Sequence, residues 1–300
     1  MTIGIEQLRY VHLACRDPGA AASETISLLG LQEAWRSGDE VALRSDQRAA
    51  TLLLGRGAGV RQTLGLEVRD ADALARAAEA LRAQGLGPRR DEALAAERRV
   101  KALLAFVTPG GLGIELVVRP LHKGWRFHAS RDSGMTGLEA VAIRTPDIAR
   151  DEALWTGVFG LRVADWIGDA VYLGLDDAHH RLSLHPAPAG GVLAVEFGVE
   201  SCDQVMQQFY LLREQGRPVR HGPGRRPASG QVFVSFDGPD GVFYSLVAEG
   251  RRASPGERPR QFPAEPGSYC GWGSPCDIAE YLAQPAPAPE RPRLRGVGTP

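Results

Sequence analysis

The sequence predicts an α+β protein made of four consecutive βαβββ modules that pair into two barrel domains. Three observations carry the prediction. One order of segments recurs four times along the 300 residues: an alternating apolar run, a helix-period run and further short apolar runs. Each helix-period run ends on a glycine, the residue that most readily closes a helix. Two final hairpins carry turn chemistry, TPGG and GPDG.

In the first module LRYVHLACRD (8–17) is the opening strand and AAASETISLLG (20–30) a helix stopped by Gly30, with three short strands following through TLLLG. The second opens at QTLGLEVRD (62–70), continues in ADALARAAEALRAQG, stopped by Gly85, and closes in LLAFVTPGGLGIELVV. The third runs from TGLEAVAIRTPD (136–147) through the helix IARDEALWTGVFG to the strands LRVADWIG, AVYLGL and HRLSLHP. The fourth begins at VLAVEFGVES, has the helix CDQVMQQFYLLREQG and ends in VFVSFDGPDGVFYSLVAEG.

A unit of about 55 residues is too small to bury a sheet face alone, so neighbouring modules should pair into domains of about 120 residues. The expected division is an N-terminal domain over 1–120, a linker over 121–135 containing HKGWRFHASRDSG, a C-terminal domain over 136–250, and a proline- and arginine-rich strap and tail over 251–300. The strap should cross the surface to about 283, with the last residues disordered. Trp125, Phe127, Trp155, Trp166 and Trp272 read as core or interdomain packing.

Hydrophobic residues make up 43% of the chain and charged ones 24%, as expected of folded domains. A net charge of -1 gives no general attraction to nucleic acid or acidic membranes, which leaves a small molecule as the expected partner. No apolar run approaches the roughly 20 residues that span a bilayer, and the N-terminus lacks a signal-like apolar region, so a cytoplasmic location is expected. Cys15, Cys202, Cys270 and Cys276 fit no disulfide framework or CxxC site and read as reduced thiols.

The repeat and its hairpins resemble the vicinal oxygen chelate (glyoxalase/bleomycin resistance-like) superfamily, specifically its two-domain type I extradiol dioxygenases, over most of residues 5–250. That resemblance implies Fe(II), occasionally Mn(II), held in the C-terminal domain by two histidines and a glutamate, beside a degenerate N-terminal domain. It places Ala140 of GLEAVAIRTPD at the first histidine, Ala194 of VLAVEFGVES at the second, and Ser245 of GPDGVFYSL at the glutamate. Two methyl groups and a hydroxyl cannot form a facial triad, so no metal is expected at these three pocket-lining positions. Fe(II) or Mn(II) enters only if other ligands displace the usual ones. Glu196, two residues beyond Ala194, should share its strand face. An N-terminal site would have His12, Glu67 and Glu115 to draw on, with Tyr10 and Thr63 at the histidine positions.

The resemblance also puts His180 of HHRLSLHP at an acid/base position, Arg226 at a substrate-contacting histidine and Ser235 at an active-site tyrosine. Imidazole suits proton transfer near neutrality, and strand alternation would send His179 and His180 to opposite faces. Arg226 could bind a carboxylate or phenolate, with His221 as a further pocket residue, or it belongs to the solvated basic run RPVRHGPGRRP. The expected function is extradiol-dioxygenase-like binding of a small aromatic or planar organic compound, with metal-independent acid/base chemistry (lyase, hydrolase or isomerase) if catalytic. The alternatives are non-catalytic sequestration and an authentic ring-cleaving dioxygenase with displaced ligands. The implied assembly is a homo-oligomer.

Overall fold

The computed structural model describes residues 2–57, 62–124, 126–254 and 256–282. The first two modules contain β1 (Ile5–Cys15), α1 (Pro18–Leu29), β2 (Gln32–Ser37), β3 (Glu40–Arg44), β4 (Leu52–Arg56), β5 (Thr63–Val68), α2 (Ala71–Ala83), β6 (Arg89–Arg90), α3 (Glu92–Glu97), β7 (Ala102–Val107) and β8 (Gly113–Val118). The third and fourth contain β9 (Met135–Thr145), α4 (Ile148–Ala153), β10 (Arg162–Ile167), β11 (Ala170–Gly174), β12 (Leu182–Pro186), β13 (Gly191–Val199), α5 (Cys202–Glu214), β14 (Val219–Arg225), β15 (Val232–Asp237) and β16 (Phe243–Ala248). Beyond them lie β17 (Arg260–Phe262) and α6 (Pro266–Tyr269).

The same local chemistry punctuates all four modules. Asp17, Asp70, Asp147 and Ser201 cap the first helix of each module by accepting from a backbone N–H in its first turn. Past each helix a glycine takes the left-handed conformation: Gly30, Gly85, Gly160 and Gly216, with φ of 77°, 75°, 69° and 64°. The third helix closes differently from the expectation of one continuous helix. After Ala153 the chain passes into a π-turn over Leu154–Val158.

Modules pair through their opening strands. β1 runs antiparallel to β5 and β9 antiparallel to β13, giving an eight-stranded sheet in the order β2-β3-β4-β1-β5-β8-β7-β6 and a nine-stranded sheet in the order β14-β15-β16-β13-β9-β12-β11-β10-β17. The ninth strand is contributed by the strap, which pairs parallel to β10.

The alternation of the second sheet divides its chemistry by face. Val141, Ile143, Val195, Phe197, Val234, Leu184 and Leu246 join the main apolar core. Intervening residues such as Ala142 and Ala194 point the other way, to a smaller cluster completed by Tyr269, Ile278 and Tyr281 of the strap. The strap therefore does more than cross the surface, because its tyrosines are part of the interior. Residues 283–300, expected to be disordered, lie outside the described residues.

The aromatic residues separate. Trp155 is buried, and Phe127 and Trp166 are half-buried. Trp272 departs from the packing expectation: it is 53% exposed, with the Arg225 guanidinium 5.8 Å from its ring centre. Trp125 lies outside the described residues. No helix among the described residues is long and apolar enough to cross a membrane.

Gly65 shows how closely the first sheet is packed. It stands opposite Tyr10, and a β-carbon there would lie 2.3 Å from the tyrosine ring. Gly65→Ala is therefore expected to cost about 1–3 kcal/mol by overpacking. Thermal unfolding checks this, and an unchanged Tm would show that Tyr10 has room to move.

Candidate functional site in the second sheet

Register assembles the site. Through the Cα pairings, Ala140 of β9, Glu196 of β13, Ser245 of β16, Ser235 of β15 and His221 of β14 form one rank across the sheet. Ala194 stands in the adjacent rank, opposite Ala142 and Phe243. A register shift between Val192 and Ala194 sets this arrangement, so the carboxylate level with Ala140 and Ser245 is Glu196.

Glu196 is 2% exposed and is met by Arg226, whose Nη1 lies 2.8 Å from Oε1 and 2.9 Å from Oε2. The same Nη1 donates to Gln231 Oε1 at 3.1 Å, and the guanidinium lies 4.8 Å from the Phe233 ring centre. Burial opposes the charge on Arg226, but Glu196 outweighs it and holds the guanidinium pKa above the ordinary arginine value. Arg226 is thus an interior cation, which corrects the solvated-loop reading of its basic run. Ser235 and Ser245 satisfy each other, Oγ to Oγ at 2.7 Å.

His179 and His180 depart from the alternation expected of them. β12 starts only at Leu182, so both imidazoles sit in the preceding turn, and both are buried. Their Nδ1 atoms are 3.0 Å apart. On its far side His179 Nε2 meets Asp165 Oδ2 at 2.7 Å. Asp165 also accepts from the Arg260 backbone N–H at 2.7 Å and from its guanidinium. His180 Nε2 is 3.8 Å from Glu196 Oε2, beyond hydrogen-bonding range, and has no partner among the described residues. Burial, then the neighbouring His179 and Arg226, hold the His180 pKa well below the ordinary imidazole value.

A cavity of about 10 Å³, room for the centre of roughly one water, lies against Glu196, Arg226, His221, Tyr172, Tyr269 and Tyr281. Burial and then Arg226 lower His221 to about 4, while burial raises Tyr269 to about 12. His180 instead lines a cleft of about 240 Å³ with Thr136, Gln231, Arg251 and Arg252. Of the seven residues expected at the site, Arg226 and His221 form the cavity wall, and His180 reaches it through Glu196. Ala140, Ala194, Ser235 and Ser245 lie on the same side of the sheet and do not border that cavity.

Sequence reasoning missed Asp165, His179 and the strap tyrosines. Strand parity had marked Glu196, yet its counter-ion comes from 30 residues further on.

These donors do not fit Fe(II) or Mn(II). Ala140 and Ala194 offer none, Ser245 is engaged by Ser235, and both oxygens of Glu196 face a guanidinium. No group of three His, Cys, Asp or Glu among the described residues is arranged to hold a metal ion.

The first sheet also buries an arginine among carboxylates. Arg98 Nε lies 3.1 Å from Glu115 Oε2, its Nη1 2.9 Å from Glu40 Oε2, and its Nη2 3.0 Å from His12 Nδ1, while the Tyr10 hydroxyl donates to Glu115. Glu67 turns to Arg9 instead, at 3.3 Å. The three residues considered for an N-terminal metal site therefore do not converge on a shared vacancy.

The sequence profile of the Glyoxalase/Bleomycin resistance protein/Dioxygenase superfamily matches residues 137–245. The chain is 32% identical over 203 residues to biphenyl-2,3-diol 1,2-dioxygenase of Pseudomonas sp. (strain KKS102), covering 62% of this chain and 69% of that protein. It is 28% identical over 203 residues to the enzyme of that name from Paraburkholderia xenovorans (strain LB400), covering 62% and 68%. Among solved structures, a halotolerant catechol dioxygenase superposes with a TM-score of 0.82 at 19% identity, covering 93% of this chain and 96% of that one. A Mn(II)-bound glyoxalase from Novosphingobium aromaticivorans also gives 0.82, at 20% identity, with coverages of 94% and 95%.

Proposed function

The chain belongs to the glyoxalase/bleomycin resistance protein/dioxygenase superfamily, with the two-domain type I extradiol fold, and from that membership we propose that its second sheet binds a small aromatic or other planar organic ligand and moves a proton on it without a metal ion. One observation carries the reading: the unpartnered Nε2 of His180 faces the Glu196–Arg226 pair, at the rank where the resemblance would place metal ligands.

His180 Nε2 takes a proton from a ligand hydroxyl or a water, and Arg226 stabilises the anion that forms. Tyr172, Tyr269 and Tyr281 supply apolar, polar-tipped walls for an aromatic ring, which the space of about one water admits only when the strap tyrosines move outward. Hydrolysis, decarboxylation and isomerisation are all within reach of one base and one fixed cation. Four free thiols accord with the reducing cytoplasm to which we assign the protein.

The test begins with mass-spectrometric identification of a copurifying ligand and metal analysis after anaerobic purification. On that ligand, His180→Ala is expected to lower turnover about 100-fold or more while the fold persists. Unchanged turnover sinks the catalytic role.

A second reading, non-catalytic sequestration, is favoured by the strap residues Tyr269 and Tyr281 lining the cavity beside Glu196 and Arg226, where they would shield a bound ligand from water. Wild-type protein that retains its ligand unaltered supports it. Stoichiometric iron with yellow product from catechol or biphenyl-2,3-diol would instead establish a ring-cleaving dioxygenase with displaced ligands.

A further inference from the structure

We propose that Asp165 and His179 form a proton relay that fixes His180 as a base, with its lone pair at Nε2. The proposal rests on the reading of His180 as acid/base, and it assigns two positioning residues to that group.

The distances settle the proton positions one after another. Asp165 is ionised, receiving the Arg260 backbone N–H and guanidinium, so the hydrogen at the 2.7 Å contact belongs to His179 Nε2. A neutral imidazole carries one N–H, which leaves His179 Nδ1 a bare acceptor. The 3.0 Å contact between the two Nδ1 atoms then requires the hydrogen on His180 Nδ1. His180 Nε2 is thereby left with its lone pair.

The remaining contact agrees with that assignment. Nε2 of His180 and Oε2 of Glu196 stand 3.8 Å apart with no hydrogen bond between them, as two acceptors should. An N–H at Nε2 would donate to that carboxylate at about 2.7–2.9 Å. The tautomer with the hydrogen on Nδ1 is the minority form of a free imidazole, so the structure imposes it.

The relay also answers how a deeply buried imidazole can accept a proton. When Nε2 takes a proton from a ligand hydroxyl or water, that O–H bond breaks and an N–H bond forms. The Nδ1 proton passes to His179 Nδ1, and the positive charge comes to rest on the ring paired with Asp165. His180 is neutral again, now with its hydrogen on Nε2. Reprotonation of the product at His180 Nε2 reverses both steps, so that His179 and His180 end in the tautomers in which they began. Every proton is accounted for, and no oxidant or reductant is needed.

The groups facing the two rings are Asp165 of β10, Arg251 and Arg260 of the strap, Glu196 of β13, Arg226, Arg181, His185 and Tyr172. Asp165 is the only carboxylate hydrogen-bonded to either imidazole among the described residues. It is therefore the residue that sets both tautomers.

Nitrogen-15 NMR of histidine-labelled, full-length protein near pH 7.5 tests this without any substrate. The expected spectrum has His180 protonated at Nδ1 and bare at Nε2, with His179 the reverse. A His180 ring protonated at Nε2, or either ring doubly protonated, overturns the relay. In Asp165→Asn the side-chain amide can donate to His179 Nε2, so both tautomers are expected to invert; an uninverted His180 in folded Asp165→Asn overturns the positioning role. If that variant fails to fold, the wild-type spectrum still decides. Failure of His180→Ala to affect turnover, with the wild-type tautomers as stated, would instead reject the catalytic reading and leave the proton chain standing.

Discussion

Arg226→Met is expected to lower the unfolding free energy by about 3–5 kcal/mol, because it strands the Glu196 carboxylate in the interior. Glu196 is 2% exposed, and its two oxygens share one cationic partner. The penalty comes from the uncompensated charge more than from the lost contact, so Glu196→Gln in the same background should restore much of it. Urea denaturation of the two single variants and the double variant provides the cycle. A loss for Arg226→Met no greater than that of an exposed ion pair, about 1 kcal/mol, would show that some other cation sits on Glu196. The cycle therefore also tests the metal-independent reading.

Acid should unfold the protein before its carboxylates titrate. His12, His179, His180, His185 and His221 are all buried, and burial is the largest cause of the lowered pKa of each. The folded values are about 3 for His12 and His185 and about 4 for His179 and His221, with His180 also well below 6.5. Below pH 6.5 the unfolded chain binds protons at these rings and the native chain does not, so stability falls as pH drops from 6.5 towards 4. One unit below the ordinary value each ring removes roughly 1.4 kcal/mol. Acting together, these rings remove a substantial part of a domain's stability of about 5–15 kcal/mol. Glu40 and Asp151, raised by burial, act in the opposite sense only near the carboxylate range. Urea midpoints at pH 7.5, 6.5 and 5.5 should decline steeply over the last interval. A flat profile would show the imidazoles titrating freely in the native state.

What was legible in the sequence was local. The closing glycines of the four leading helices are decided within a few residues, so the order of the modules follows from short stretches of chain. Ala140, Ala194 and Ser245 were legible because each sits in a strand anchored by its own neighbours. The centre of the site depends on register, which a strand's own sequence does not encode. The shift at Val192/Ala194 brings Glu196 level with Ala140, and the turn before β12 frees His179 and His180 from strand parity. Tyr269 and Tyr281 reach the interior from a segment whose composition suggests only a surface strap. Asp165 reads in the sequence as any charged residue of a half-exposed strand; in the fold Arg260, 95 residues later, closes over it.

Both sheets carry their central positive charge on an arginine of the chain itself, Arg98 in one and Arg226 in the other. A metal ion occupies a site by mass action, and the stability it contributes changes with its concentration. A tethered guanidinium has no dissociation constant and no dependence on supply. It is present from synthesis, passes through dilution and chelation unchanged, and has no second oxidation state for dioxygen to reach. The charge that these two arginines bring to the interior is in this sense written into the gene product.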